Sequence, residues 1–167
     1  MIGLRKYVIF PGQFVITSVP SLISTVLGSC VSVCLWDKEN KIGGMNHYLL
    51  PGTPEDDAGN SNRGVTSIRL LIRSLTNRKV SIENLEAKVF GGCNSLYRNN
   101  DYFKVGERNI SIALETLHEF NIKVTAQHVG GCYGRKIVFN TSDGKVRMRL
   151  LIKITDINEE INKGFGY

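Results

Sequence analysis

The sequence predicts an α+β protein, a mixed or antiparallel β-sheet system with two helices on one side. Short apolar runs that alternate with polar residues, a pattern typical of strands, recur before residue 51 and after residue 121. Two longer segments between them repeat apolar residues with helical spacing. This order favours helices packed against one face of a sheet. The 167 residues show no linker or internal repeat, so we expect a single domain over residues 1–167.

Three short strands are predicted near the N-terminus. Residues 7–10 are apolar and are followed by a Pro-Gly pair. Residues 13–18 alternate apolar and polar side chains, and Pro20 closes them. Residues 22–27 are rich in β-branched side chains and lead into a Gly-Ser pair, so they predict a third strand.

Residues 27–47 predict a β-hairpin and read L-G-S-C-V-S-V-C-L-W-D-K-E-N-K-I-G-G-M-N-H. An alternating apolar run follows Cys30, residues 37–40 are rich in turn formers, and a second apolar stretch ends at His47. A hairpin brings its two ends together. We therefore expect the Cys30 thiol to lie close to the His47 imidazole, although 17 positions separate them.

Two amphipathic helices are predicted in the middle of the chain. Residues 65–77 repeat apolar side chains at i, i+3, i+4 and i+7, with arginines on the opposite face. Residues 105–120 carry a second stripe, which Asn121 ends. The apolar positions are Ile68, Leu71, Ile72 and Leu75 in the first helix, and Ile110, Ala113, Leu114, Leu117 and Phe120 in the second.

The remaining elements are strands over residues 85–90, 122–129, 135–139 and 146–154. The last two flank an Asp-Gly pair, which is a hairpin signal. Residues 52–64 are polar and glycine-rich, and they predict a mobile surface loop beside His47. Residues 93–104 predict an irregular segment, and the polar tail from residue 155 predicts frayed structure.

The charge and composition exclude several functional classes. The net charge is +6, but lysines and arginines are spread along the chain without interleaved aromatics, which argues against nucleic acid. A solvated basic surface and an acidic protein partner both remain open. No apolar run approaches the roughly 20 residues of a membrane span, and the N-terminus lacks a signal peptide, so we expect a cytosolic protein.

The four cysteines are expected to be free thiols, since the cytosol is reducing. The chain has no C-x-x-C pair, which argues against a zinc ribbon. Cys30 and Cys34 lie about 13 Å apart at strand rise, which is too far for both to bind one ion. No metal is therefore expected. Cys34 lies within an apolar strand, so we predict that it is a core residue.

Cys30 and His47 are the minimum set for thiolate catalysis. A free cysteine has a pKa of about 8.5. A His47 imidazolium, backbone N–H groups around Gly28 and Ser29, and partial exposure would each lower that pKa. The same N–H groups would hold an oxyanion. From the residues alone a structural role for both side chains stays open, although Cys30 differs from a core cysteine because it follows a turn.

A third group usually orients a catalytic imidazole. Thr25 and Ser24 both precede Cys30 on the third predicted strand, and either side chain supplies a hydroxyl oxygen. We therefore include Thr25 as the first candidate and Ser24 as the alternative.

Two motifs of the hairpin segment resemble the signature of CheD, the chemoreceptor glutamine deamidase family of bacterial chemotaxis. They are L-G-S-C-V-S-V-C-L-W-D and I-G-G-M-N-H-Y-L-L-P. Three later motifs also resemble the family, in the expected order: E-A-K-V-F-G-G, V-G-E-R-N-I and V-G-G-C-Y-G-R-K-I-V-F. The resemblance covers residues 13–153.

The resemblance implies a cysteine hydrolase fold, a sheet sandwich with two main helices on one side, shared with deamidating toxins such as cytotoxic necrotizing factor. It implies hydrolysis of receptor glutamines to glutamates with release of ammonia. The family's nucleophile maps onto Cys30, its general base onto His47 and its threonine onto Thr25. Ser24 is the alternative because the spacing in that segment differs by one residue between members. No metal or organic cofactor is implied.

The implied substrate is the cytoplasmic helices of chemoreceptors, which places the protein in the cytoplasm, recruited to membrane-bound receptor arrays. A CheC-type phosphatase is the implied second partner. The alternative is a regulatory binding module that acts mainly through receptor and CheC binding, and another is a peptidase or transglutaminase-like enzyme. The presence of both Cys30 and His47 favours an enzyme. We expect a monomer that neither binds nucleic acid nor inserts into a membrane.

Overall fold

The computed structural model describes residues 3–56, 59–94 and 104–152, together with residues 156 and 159. Its strands form two mixed sheets. The four-stranded sheet has the order β1-β3-β8-β9, in which β1 runs parallel to β3 and the other neighbours are antiparallel. Its strands are β1 (Arg5–Val8), β3 (Ser21–Leu27), β8 (Gly134–Asn140) and β9 (Val146–Leu151).

The five-stranded sheet has the order β2-β5-β4-β6-β7. Only β6 and β7 are parallel in it, and the other neighbours are antiparallel. Its strands are β2 (Phe14–Thr17), β4 (Val31–Asp37), β5 (Ile42–Asn46), β6 (Leu85–Gly91) and β7 (Lys123–Val129).

Two helices, α1 (Gly64–Thr76) and α2 (Val105–Glu119), pack on one face of the five-stranded sheet. The core between the helices and this sheet includes Val33 and Leu35 from β4 together with the apolar stripe of α1. The opposite face of β4 meets the four-stranded sheet through Cys34, which packs with Ile23 and Phe139. The predicted sandwich with both helices on one side is confirmed. None of the helices in the described residues is long and apolar enough to span a membrane.

Most predicted elements are confirmed, because local patterns determine them. The α1 stripe is buried as predicted, and Asn121 ends α2 with a φ of 54°. Gly144, with a φ of 70°, lies in the turn between β8 and β9. Residues 95–103 and most of the tail lie outside the described residues, so the predictions made for them stay predictions.

Candidate active site

Cys30 and His47 lie at the open end of the β4–β5 hairpin. Val31 and Tyr48 form a bridge there and exchange two backbone hydrogen bonds of 3.2 and 3.1 Å. Cys30 and His47 each precede one member of that bridge, which makes them diagonal neighbours on one face of the sheet. Cys30 is partly buried and packs against the core between the sheets, so this face looks toward β3. The hairpin thus brings the thiol and the imidazole to one edge.

His47 is fixed through both its backbone and its ring. Its N–H donates to the Gln13 carbonyl at 3.0 Å, and its own carbonyl accepts from the Gly12 N–H at 2.8 Å. Its Nδ1 lies 2.8 Å from Oγ1 of Thr25, which β3 supplies from the other sheet. The same Oγ1 donates to the Ile9 carbonyl at 2.7 Å. The histidine is only 3% exposed, so its position is set by the surrounding protein.

These contacts select one tautomer of the imidazole. The Thr25 hydroxyl has a single hydrogen, and the Ile9 carbonyl can only accept it. The hydroxyl therefore accepts from an Nδ1–H of His47, which leaves the ring lone pair on Nε2. That Nε2 is buried and has no hydrogen-bond partner among the residues that the structure describes. A neutral imidazole with an unoccupied Nε2 is the form that a general base needs.

Burial sets the protonation of both groups. It raises the pKa of the Cys30 thiol from 9.0 to about 11, although a hydrogen bond from the backbone N–H of Cys30 acts in the opposite direction. Burial also lowers the pKa of His47 to about 4. The expected lowered thiol pKa is therefore wrong, because the loss of hydration outweighs the N–H bond. At neutral pH the resting pair is a thiol and a neutral imidazole.

The loop at residues 28–30 is held by its carbonyl groups. Each of the three carbonyls accepts a hydrogen bond, two from the segment that follows β6 and one from α2, and the described chain contains no cis peptide bond. In a trans peptide the N–H points opposite to the C=O, so the N–H groups of Ser29 and Cys30 point away from these donors. The donors are Cys93 N–H for Gly28, Asn109 Nδ2 for Ser29 and Gly92 N–H for Cys30, at 2.9, 2.9 and 2.8 Å.

Glycines let β6 approach this loop closely and let α2 approach the end of β6. Gly91 has a φ of 115°, and a Cβ there would lie 2.1 Å from the Cys30 carbonyl oxygen. A Cβ on Gly106 would lie 2.5 Å from the Gly92 carbonyl oxygen. A side chain at Gly91 would push β6 away from the loop, and one at Gly106 would push α2 away from the segment that follows β6.

The structure does not bring every predicted residue to the imidazole. Ser24 lies on the other face of β3, where its Oγ donates to the Tyr7 carbonyl at 3.3 Å. Neighbouring residues of a strand point to opposite faces, so Thr25 and Ser24 cannot both reach His47. The prediction of Ser24 as a site-forming residue is corrected accordingly. Gly28 is exposed and contributes its carbonyl, while Cys34 is a core residue as predicted.

The four cysteines are thiols and form no disulfide. Within the described part of the chain, no group of three or more His, Cys, Asp or Glu side chains is arranged to hold a metal ion. Cys93 is buried and lies next to the loop that carries Cys30, whereas Cys132 is exposed.

A comparison with protein-family models identifies the family of this chain. The family model CheD, described as CheD chemotactic sensory transduction, matches residues 49–150. The chain belongs to the CheD family. The matched segment begins after His47, so it does not include Thr25, Cys30 or His47.

Relatives in several bacteria are similar along most of this CheD chain. Proteins named probable chemoreceptor glutamine deamidase CheD occur in Trichlorobacter lovleyi and Sulfurimonas denitrificans. The first is 41% identical and covers 86% of this chain and 89% of its own length. The second is 39% identical and covers 89% of this chain and 96% of its own. A solved structure, the hypothetical protein YfiH of Bacillus licheniformis, has a TM-score of 0.44 at 10% identity over 71% of this chain and 50% of its own, too low to support a conclusion.

Asn109 is the residue that the sequence-based prediction of the CheD site omits. The predicted apolar stripe of α2 is only partly the buried face, because Asn109 and Thr116 are also buried there. A buried polar side chain must find hydrogen-bond partners, so a polar residue next to an apolar stripe was the available signal. Which carbonyl groups it reaches depends on how α2 packs against the loop.

Proposed function

We propose that this chain is a protein-glutamine deamidase that converts glutamine side chains of chemoreceptors to glutamates. Its relatives carry the name chemoreceptor glutamine deamidase, and its family belongs to chemotactic sensory transduction. One observation carries the chemical part of the proposal. The Thr25–His47 hydrogen bond leaves the buried Nε2 of His47 ready to accept a proton at the site that contains Cys30.

In the proposed first half-reaction, Cys30 is the nucleophile and His47 is the general base. Nε2 takes the thiol proton as Sγ attacks the carboxamide carbon, so a thiolate need not exist before the substrate binds. The N–H groups of Ser29 and Cys30 hold the oxyanion. Thr25 accepts from the Nδ1–H of the imidazolium that forms. The C–N bond then breaks, His47 gives its proton to the leaving nitrogen, and ammonia departs from a thioester on Cys30.

The second half-reaction restores the enzyme. Nε2 takes a proton from water, and the resulting hydroxide attacks the thioester carbonyl. The C–S bond breaks, the proton on His47 returns to the sulfur, and glutamate is released. One water is consumed and one ammonia is produced for each glutamine, so the balance needs no other reactant.

The proposed substrate determines where the protein acts. Receptor glutamines of this kind lie on cytoplasmic helices, so we place the reaction in the cytoplasm at the receptor arrays. Each conversion adds a negative charge to the receptor, and the net charge of +6 on this chain suits such a surface. A CheC-type phosphatase is the second proposed partner.

The test uses a purified cytoplasmic fragment of a chemoreceptor, incubated with the protein. Deamidation predicts ammonia release and a mass increase equal to replacing –NH2 by –OH at defined glutamines. Fragment cleavage would indicate a peptidase, and crosslinked products would indicate a transglutaminase-like enzyme. Binding without any chemical change would contradict the proposal and favour the regulatory module.

A further inference from the structure

A buried amide on α2 links the two halves of the proposed site. Asn109 is fully buried, and both hydrogens of its Nδ2 are used. One bond goes to the Ser29 carbonyl and the other to the Leu49 carbonyl, each at 2.9 Å. Ser29 directly precedes Cys30, and Leu49 follows His47 by two positions. One side chain therefore contacts the chain on both sides of the nucleophile–base pair.

The Ser29 carbonyl and the Cys30 N–H belong to one planar peptide unit. The described chain has no cis peptide bond, so this C=O and N–H point in opposite directions. A hydrogen bond that fixes the oxygen therefore also fixes the direction of the N–H. We propose that Asn109 is a positioning residue that orients the Cys30 N–H toward the oxyanion and holds it in register with His47. This inference rests on the proposed deamidase function.

The surroundings of Asn109 leave its amide one useful orientation. Only the –NH2 end can face two carbonyl oxygens, since the other end is itself an acceptor. The Oδ1 of Asn109 is buried and has no hydrogen-bond partner among the described residues. No donor there therefore favours the opposite orientation of the amide group. The backbone is also held, because the Tyr48 hydroxyl donates to the Asn109 carbonyl at 2.6 Å.

The first test compares Asn109→Leu with the wild type on the receptor fragment. Leucine has a similar size but no donor, so the Ser29–Cys30 peptide is free to rotate. An oxyanion donor that points the wrong way weakens binding of the transition state but not of the substrate. We therefore expect kcat to fall about 10- to 100-fold while KM stays within about twofold. Leu117→Ala, a buried substitution on the same helix, is the control for lost stability and should keep kcat near that of the wild type.

A second readout needs no substrate. The Cys30 N–H donates to its own sulfur, so turning it away should move the midpoint of Cys30 alkylation by iodoacetamide to higher pH. A purely structural role would loosen the loop and expose the thiol, which moves the midpoint to lower pH. Peptide mass mapping separates Cys30 from the exposed Cys132. If Asn109→Leu does not fold, the same two measurements are made on Asn109→Ser, whose hydroxyl keeps one hydrogen-bond donor.

A kcat loss at unchanged KM together with an upward alkylation shift would support the role of Asn109. A kcat loss no larger than that of Leu117→Ala, or a downward shift, would overturn it. If the wild type deamidates no receptor fragment, the proposed function fails instead. The direction of the alkylation shift then still decides whether Asn109 orients the peptide.

Discussion

His47 contacts the Thr25 hydroxyl through Nδ1 and leaves Nε2 without a partner in the described part of the chain. Burial holds the pKa of His47 near 4 and that of Cys30 near 11. The cysteine–histidine pair was predictable from its place at the ends of a hairpin. Its protonation state was not, because the sequence does not report how much water the folded chain removes from each group.

The pH dependence of kcat/KM follows from these two pKa values. Activity needs a neutral imidazole, so it rises with pH through about 4, and the thiol keeps its proton up to about 11. We expect kcat/KM to be flat between about pH 5 and about pH 9. Initial rates of ammonia release on the receptor fragment would measure it. A fall above about pH 8 would instead indicate a resting thiolate–imidazolium pair.

Thr25 should act through its hydroxyl rather than through its bulk. Thr25→Val keeps the shape but removes the acceptor for Nδ1–H, so the imidazole loses its fixed tautomer. We expect kcat to fall about 10- to 100-fold. Thr25→Ser keeps the oxygen and should stay within about threefold of the wild type. Steady-state rates of both variants test this, and equal losses in the two would assign Thr25 to packing alone.

At the level of elements, the choice between Thr25 and Ser24 was made by the faces of the folded strand β3. The family resemblance left both open, whereas the burial of alternate residues along β3 places Ile23, Thr25 and Leu27 on the inner face. Asn109 shows the opposite case. Its helix was predicted, but its contacts with Ser29 and Leu49 come from packing between elements far apart in sequence.

The end of β6 should be intolerant of any side chain. Gly91→Ala would place a Cβ 2.1 Å from the Cys30 carbonyl oxygen at a φ of 115°. We expect a loss of at least about 2 kcal/mol in the free energy of unfolding, together with lower deamidase activity, because the Cys30 loop must move. Urea denaturation measures the first effect. Gly3→Ala, where a Cβ meets nothing within 4 Å, is the matched control, and equal stability of the two variants would contradict this packing.

At the scale of the whole molecule, the two-helix, two-sheet class was predictable because strand and helix periodicities are local. The order of strands within each sheet was not. The parallel pairs β1–β3 and β6–β7 join segments separated by intervening structure, so their pairing depends on long-range contacts. The placement of Thr25 opposite His47 depends on that assembly, since each sheet supplies one of the two residues.

The positive net charge of the chain should affect its association with the receptor more than the rate of the chemical step. The chain carries +6, and the proposed receptor surface becomes more acidic as glutamines are converted. We expect KM for the receptor fragment to rise several-fold between about 50 and about 300 mM salt, because screening weakens steering, while kcat changes little. Steady-state kinetics at several salt concentrations would measure this. A KM that does not respond to salt would contradict a charge-guided encounter.

The most direct measurement is peptide mass spectrometry of the receptor fragment after incubation with wild type, Cys30→Ala and His47→Ala, each shown to be folded. Running the reaction in H2¹⁸O marks every glutamate formed by hydrolysis with solvent oxygen. We predict labelled glutamates at defined positions with the wild type and none with either variant, because both half-reactions need both side chains. Labelled product that persists in Cys30→Ala would contradict the proposed nucleophile and place the chemistry elsewhere in the molecule.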